Sequence, residues 1–212
     1  MLIWLVLIPL IAAALISLCK APARPTALLS ASLTLALGIW ALVSFDGCSS
    51  CWSRFEGMDL QLTLAPALSK VMLLLTILVT FATVLGTNPP QGGEASWYNS
   101  ALLISAGATG AFLSDNIISF FAFHELALIP TFVMIGLYGR GDRRTTAWRA
   151  TLYLGLASMV LLAALLMIGT QAGFTFSGLK DFMASGRELA HAELIGALLI
   201  AGFGTLISLF PL

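Results

Sequence analysis

Residues 116–138 read NIISFFAFHELALIPTFVMIGLY, an apolar run interrupted near its middle by one carboxylate, Glu125. A bilayer core needs roughly 20 apolar residues for each helical span, so this run is long enough to cross it. A charged side chain at the centre of such a helix costs about 2.5 to 3.5 kcal/mol on insertion scales. The run therefore predicts a membrane helix whose Glu125 faces a bundle interior or a water-filled cavity.

The remainder of the sequence repeats this pattern of long apolar runs. Of the 212 residues, 59% are hydrophobic and 9% are charged, whereas soluble domains carry roughly 25% charged residues. The pattern predicts an all-α, polytopic transmembrane helical bundle of about seven spans. The predicted spans are residues 2–19, 26–45, 66–86, 97–113, 116–138, 148–168 and 194–212. The connection 172–193 has apolar residues on one helical face, which predicts a short helix at the membrane surface.

The distribution of charge bears on the partners of the chain and on its orientation in the membrane. The formal net charge is zero and there is no long acidic or basic tail, so nothing indicates a nucleic-acid partner. The first run begins without Lys or Arg, unlike a signal peptide, and is expected to be a retained span. Short cytoplasmic loops collect Lys and Arg, and the loop 140–149 is the most basic. The N-terminus is therefore predicted to be outside, and the lipid bilayer is the surrounding medium.

Glu125 is the candidate proton carrier. Burial disfavours the ionised form of a carboxyl, so a carboxyl held there can take up and release a proton. Pro130, in the same run, removes a backbone hydrogen bond and is expected to kink or loosen the helix. The alternative is that Glu125 only holds neighbouring helices together by hydrogen bonds.

Three further residues are candidates for the same site. His124 can titrate, but helical neighbours point about 100° apart, so a packed histidine is an equal alternative. Asp115 lies at one end of the same span, either as a helix cap or as a functional acid. Arg149 enters the next span, either as a membrane anchor or as a counter-charge reaching toward Glu125.

Cys48 and Cys51 form a CxxC in the predicted outer loop. An outer compartment permits a disulfide, whereas a metal site would need further ligands, and the sequence offers no second CxxC or pair of histidines. The expectation is a disulfide or no special role, with no metal site.

Several stretches resemble one family. The segments WLVLIPLI at 4–11, FLSDNIISFFAFHELALIP at 112–130, GLYG at 136–139 and GFGTLISLFPL at 202–212 are similar to the M-type antiporter-like subunit of bacterial NADH:quinone oxidoreductase (complex I). Related subunits occur in Mrp-type cation/proton antiporters. The resemblance implies proton translocation in the bacterial inner membrane, with other membrane subunits of complex I as partners. It implies no cofactor in this chain, since the quinone, flavin and NADH sites lie in other subunits.

The family architecture has about fourteen helices, in two inverted five-helix bundles that begin at the fourth helix. The resemblance implies that residues 1–92 hold peripheral helices 1–3 and that residues 93–212 hold an incomplete bundle, helices 4–7. The chain then corresponds to an incomplete first half of the fold, from a truncated gene, a split subunit or a fragment. Glu125 matches the glutamate that the family couples to charges on later helices.

Three departures from the family pattern are visible. Leu206 stands where the family usually has a lysine in its seventh helix, and Arg149 is a candidate substitute for that charge. His124 stands where tryptophan is more common, and Pro66 aligns with a frequent aspartate. These departures leave three functions open: a proton-pumping subunit, a sodium/proton antiporter subunit, and a non-pumping scaffold.

Overall fold

A computed structural model of the chain describes residues 2–44, 49–55, 58–64, 67–89 and 92–207. Seven helices of the described part lie at the seven predicted spans, and a shorter one lies in the 172–193 connection, as predicted. In chain order the helices are α1 Leu2–Leu18, α2 Ala23–Ser44, α3 Ala67–Gly86, α4 Glu94–Leu113, α5 Ile117–Tyr138, α6 Arg143–Ala172, α7 Phe176–Ala184 and α8 Ala192–Leu206. The predicted helical membrane bundle is therefore confirmed.

Four of these helices are long and apolar enough to cross a membrane: α2, α3, α5 and α6. Helices α1 and α8 are shorter apolar helices. Helix α6 is longer than predicted, because it has 30 residues and begins before the predicted span. It begins early because Asp142 caps it, accepting a hydrogen bond from the Thr145 amide.

The polar stretch after α2 forms a small antiparallel hairpin that the sequence did not predict. Strand β1, Ser49–Phe55, pairs with β2, Met58–Thr63, in a register that joins Ser49 to Thr63 and Phe55 to Met58. Backbone groups outside hydrocarbon are free to pair in this way. Cys48 and Pro66 lie outside the described residues, so the expected Cys48–Cys51 disulfide stays a prediction.

Helix α4 is the centre of the packing, because α1, α2, α3 and α5 all contact it. Its small residues permit the close approach of α5. A Cβ atom added at Gly107 would lie 2.8 Å from the carbonyl oxygen of Phe123, and one at Gly110 would overlap the Phe123 ring. Helix α5 in turn packs between α4 and α6, and α6 packs on α8.

The connections gather at two opposite ends of the bundle. At one end, the backbone of Leu62 in the hairpin bridges Ser114, and Asn116 bridges Thr175. At the other end, the Tyr138 hydroxyl donates to the carbonyl oxygen of Gly93 at 2.5 Å. Successive helices therefore run in alternate directions, as membrane spans do. Which end faces outside stays a prediction.

Candidate functional site

Helix α5 places Glu125 near the middle of the predicted span. The helix begins at Asn116, whose side-chain Oδ1 accepts hydrogen bonds from the amides of Ile118, at 2.8 Å, and Ser119, at 3.4 Å. It continues through Pro130 as one unbroken helix to Tyr138. Asn116, rather than Asp115, is thus the residue that caps α5, and Pro130 does not end the helix.

Glu125 and His124 approach one another although they are helical neighbours. The Nδ1 atom of His124 lies 3.6 Å from Oε1 of Glu125, and the side chains are 22% and 32% exposed. The imidazole ring is stacked near Phe120 and Phe121, with centroids 6.3 Å away in each case. The two candidates therefore form one titratable pair that is partly, not fully, buried in this chain.

The buried atoms of this pair have unused hydrogen-bonding capacity. Among the residues that the structure describes, neither Oε1 of Glu125 nor Nδ1 of His124 has a hydrogen-bond partner, and both atoms are inaccessible to solvent. A buried polar group without a partner destabilises the fold by more free energy than an ordinary hydrogen bond contributes. A proton, a water molecule or a further side chain would relieve that cost.

Glu125 also lines a groove between α5 and α6. The groove encloses about 160 Å³, and a water molecule occupies roughly 30 Å³ in the liquid, so it can hold several. Its other walls are apolar or carry hydroxyl groups, from Leu128, Ile129, Thr131, Phe132 and Ile135 on α5 and from Ala150, Thr151, Leu154 and Gly155 on α6. Glu125 therefore lies beside a mostly apolar slot that has room for water.

Arg149 does not join this groove. Its side chain is exposed near the start of α6, and the groove is lined instead by the positions that follow it. Residue 149 projects to another side of α6 because successive positions rotate by about 100°. In the described part of the chain no ion pair links Arg149 to Glu125. Its guanidinium instead helps to lower the pKa of Asp142, after the larger effect of the Thr145 hydrogen bonds.

Asp115 ties two connections together at one end of the bundle. Its Oδ2 accepts a hydrogen bond from the Ser177 hydroxyl at 2.8 Å, and its Oδ1 accepts one from the Ser177 amide at 3.3 Å. Two backbone bonds of 2.8 Å flank this contact, from Ile117 to Phe174 and from Phe176 to Asp115. We call this set the Asp115 clasp; it joins the start of α5 to the start of α7 and does not touch Glu125.

Comparison with known proteins gives a consistent result. A family model described as NADH:quinone oxidoreductase/Mrp antiporter, TM, matches residues 114–212. The chain is 30% identical over 151 residues to NAD(P)H-quinone oxidoreductase chain 4 2 of Microcystis aeruginosa, which covers 68% of this chain and 26% of that relative. Residues 114–212 of the chain belong to this antiporter-like family. The resemblance seen in the sequence is thereby confirmed.

Solved structures of antiporter-like subunits share the fold. A chain of respiratory complex I from Thermus thermophilus with bound NADH matches with a TM-score of 0.78 and 24% identity, over 97% of this chain and 43% of that one. A chain of the Mrp complex from Dietzia sp. DQ12-45-1b matches with a TM-score of 0.76 and 21% identity, over 96% and 23%. The chain spans about a quarter to a third of the length of the curated relatives that it matches.

Leu206, which the resemblance predicts to stand at the family's lysine position, is the last residue of α8. Its side chain packs against an apolar cluster that includes Ile117, Leu161 and Ile195. A charged amine in that cluster would need a partner, and a leucine needs none. Among the residues that the structure describes, the basic group within ion-pairing distance of Glu125 is His124.

Sequence reasoning missed Ser177 and Asn116. Asn116 carried a usable signal, because asparagine just before an apolar run is a preferred helix cap. Ser177 carried none, since its partner is distant in sequence. Within the ranges that the structure describes, no group of three or more His, Cys, Asp or Glu side chains is placed to hold a metal ion.

Proposed function

We propose that this chain belongs to a membrane subunit that moves protons across the bilayer, with Glu125 as the group that binds and releases them. One observation carries the proposal: a carboxylate near the middle of a membrane helix has a buried, unpaired oxygen and opens onto a groove large enough for water. Ionisable groups inside membrane segments mark ion and proton pathways as a rule.

His124 supplies the first step of a proton exchange. Its Nδ1 lies 3.6 Å from Oε1 of Glu125, a separation that a small side-chain adjustment would bring to hydrogen-bonding distance. A protonated histidine would stabilise the ionised carboxylate, and a neutral one would accept its proton. The pair can therefore hold a proton in either of two places without a change in total charge.

The rest of the pathway is proposed to come from partner helices. Most α5 side chains are only half-buried within the described residues, so part of the helix surface is open to further protein. We propose that other membrane subunits of a respiratory NADH:quinone oxidoreductase supply these surfaces, and that redox chemistry in partner subunits drives transport. The bacterial inner membrane, with the N-terminus outside, is the proposed location.

Two other functions have specific support. The fold shared with a chain of the Mrp complex favours a sodium/proton antiporter subunit as the second candidate. The apolar packing of Leu206 favours a scaffold that does not pump, because a proton path needs more charged groups than one acid and one histidine.

The test is Glu125→Gln in membrane vesicles that contain the assembled complex. Glu94→Gln, at an exposed acid at the start of α4, is the matched control. We expect the ratio of protons moved to NADH oxidised to fall in Glu125→Gln and to be unchanged in Glu94→Gln. Assembly is followed on the same samples by native electrophoresis, so that loss of transport is separated from loss of the complex.

Each alternative has its own result. Transport driven by a sodium gradient, without NADH oxidation, would favour the antiporter. An unchanged ratio in fully assembled Glu125→Gln complex would reject the relay and leave the scaffold.

A further inference from the structure

One side of α6 is a largely exposed apolar face, although the Trp148 ring at its start contacts Phe132 of α5, with ring centroids 5.6 Å apart. Large side chains at spacings of three, four and seven residues lie on it, and all of them are between 41% and 66% exposed: Trp148, Leu152, Leu156, Met159 and Leu166. We call this set the α6 face. Its beginning adjoins the groove of Glu125, because Phe132 also lines that groove.

Two arginines flank the beginning of the α6 face. Arg144 and Arg149 are both exposed, and on a helical wheel they lie on either side of Trp148. They are about 7.5 Å apart along the axis, at roughly 1.5 Å per residue. Both side chains are long enough to reach one small anion between them.

The neighbouring charges neutralise this pair only in part. Asp142 attracts Arg149, so one negative charge offsets part of the positive charge here. Arg140 and Arg143 add positive charge nearby, and the Arg143 Nη1 donates to the carbonyl oxygen of Leu137 at 2.9 Å. Arg144 forms no ion pair in the part of the chain that the structure describes. The surface is thus left with excess positive charge.

We propose that the α6 face and its two arginines bind an anionic phospholipid. The phosphate lies between Arg144 and Arg149, Trp148 lies at the boundary between headgroup and hydrocarbon, and one acyl chain lies along the leucines. Basic clusters where a membrane helix meets water recognise anionic headgroups, and tryptophan is enriched at that depth.

The dimensions fit one leaflet. The distance from Trp148 to Met159 is about 16 Å along a helix, close to half of a hydrocarbon core of about 30 Å.

Charge decides between a lipid and a protein helix as the occupant of the α6 face. An apolar helix would leave both guanidinium groups unpaired at its edge, whereas an anionic lipid neutralises them and covers the leucines at the same time.

The test is native mass spectrometry of the full chain, titrated with phosphatidylglycerol or with phosphatidylcholine. The test variant is Arg144→Gln with Arg149→Gln. Its matched control is Lys180→Gln with Arg187→Gln, which removes two exposed cations from the opposite end of the bundle. Each arginine near an anionic surface contributes about fivefold in affinity. We expect the preference for phosphatidylglycerol to fall about twentyfold in the test variant and to persist in the control.

A charge-preserving variant and a competition with inorganic phosphate complete the test. Arg144→Lys with Arg149→Lys keeps both charges, is the variant least able to disturb folding, and should retain the preference. Equal losses in the test and control variants would show a general charge effect and overturn the proposal. So would full retention of the preference in the glutamine variant, or displacement of the lipid by millimolar inorganic phosphate, which would indicate a phosphate site instead.

Discussion

The Asp115 clasp should be worth a measurable part of the stability of α7. Removing the Asp115 side chain with Asp115→Ala deletes two hydrogen bonds, of 2.8 and 3.3 Å, to Ser177. Hydrogen bonds to charged groups contribute about 1.5 to 3 kcal/mol. Ser177 is exposed and water competes there, so the lower end applies to the two bonds together, about 1.5 kcal/mol.

The loss should be local, because the two flanking backbone bonds persist in the variant. Amide hydrogen exchange of residues 174–184 measures local opening. A change of about 1.4 kcal/mol is tenfold in an equilibrium constant, so exchange should accelerate about tenfold in Asp115→Ala. Ser177→Ala removes only the hydroxyl bond and should give a smaller effect, and the double variant should be no worse than Asp115→Ala alone.

Asp181→Asn is the matched control, since Asp181 is an exposed acid on the same short helix. In Asp181→Asn the amide hydrogens of residues 174–184 should exchange at the same rate as in the unmodified chain. If Asp115→Ala left the exchange of 174–184 unchanged, or if the effects of the two single alanine variants simply added, the carboxylate would not be holding α7 through Ser177.

Two further predictions concern α4 and α6. Gly110→Ala places a methyl group against the Phe123 ring and should lower the free energy of unfolding by about 1 to 3 kcal/mol. In Gly155→Ala the new methyl group meets nothing within 4 Å, so stability should not fall. Equal melting temperatures of the two variants in detergent would refute the close packing of α4 on Phe123. The hydrogen bonds of Thr145 lower the pKa of Asp142 below its ordinary value of 3.8. The Asp142 cap therefore contributes its full stability above pH 3.8, and this contribution is lost as the pH falls through the lowered pKa. Amide protection at Thr145 should fall across that window, and Asp142→Asn should abolish the pH dependence.

The sequence predicted the helices well because hydrocarbon imposes a strong pattern. A span needs a long apolar run, and the run at 116–138 has no competing interpretation. The hairpin was missed although a signal was present. Residues 58–63, MDLQLT, alternate apolar and polar side chains, which is the period of a strand. The stretch was assigned only as a polar connection, because its charges were what excluded it from the membrane.

The site was predictable in its central residue and not in its partners. An acid in an apolar helix is visible in the sequence, whatever surrounds it. The Ser177 partner of Asp115 depends on how the α6–α7 connection folds back, which no local pattern encodes. Arg149 does not reach the Glu125 groove for a rotational reason. Ala150, Thr151 and Leu154 line that groove, and the position before them points to another side of the helix.

The nearness of His124 to Glu125 decides what a proton site in this chain would depend on. An acid and a base on different helices keep their separation only if the helices keep theirs. His124 and Glu125 share α5, so a shift of α6 or α8 cannot part them, and the flanking Phe120 and Phe121 rings are on α5 as well. Such a shift would instead alter the groove, since four of its ten lining residues belong to α6. Motion of α6 would therefore control the access of water to the pair and not the pair itself.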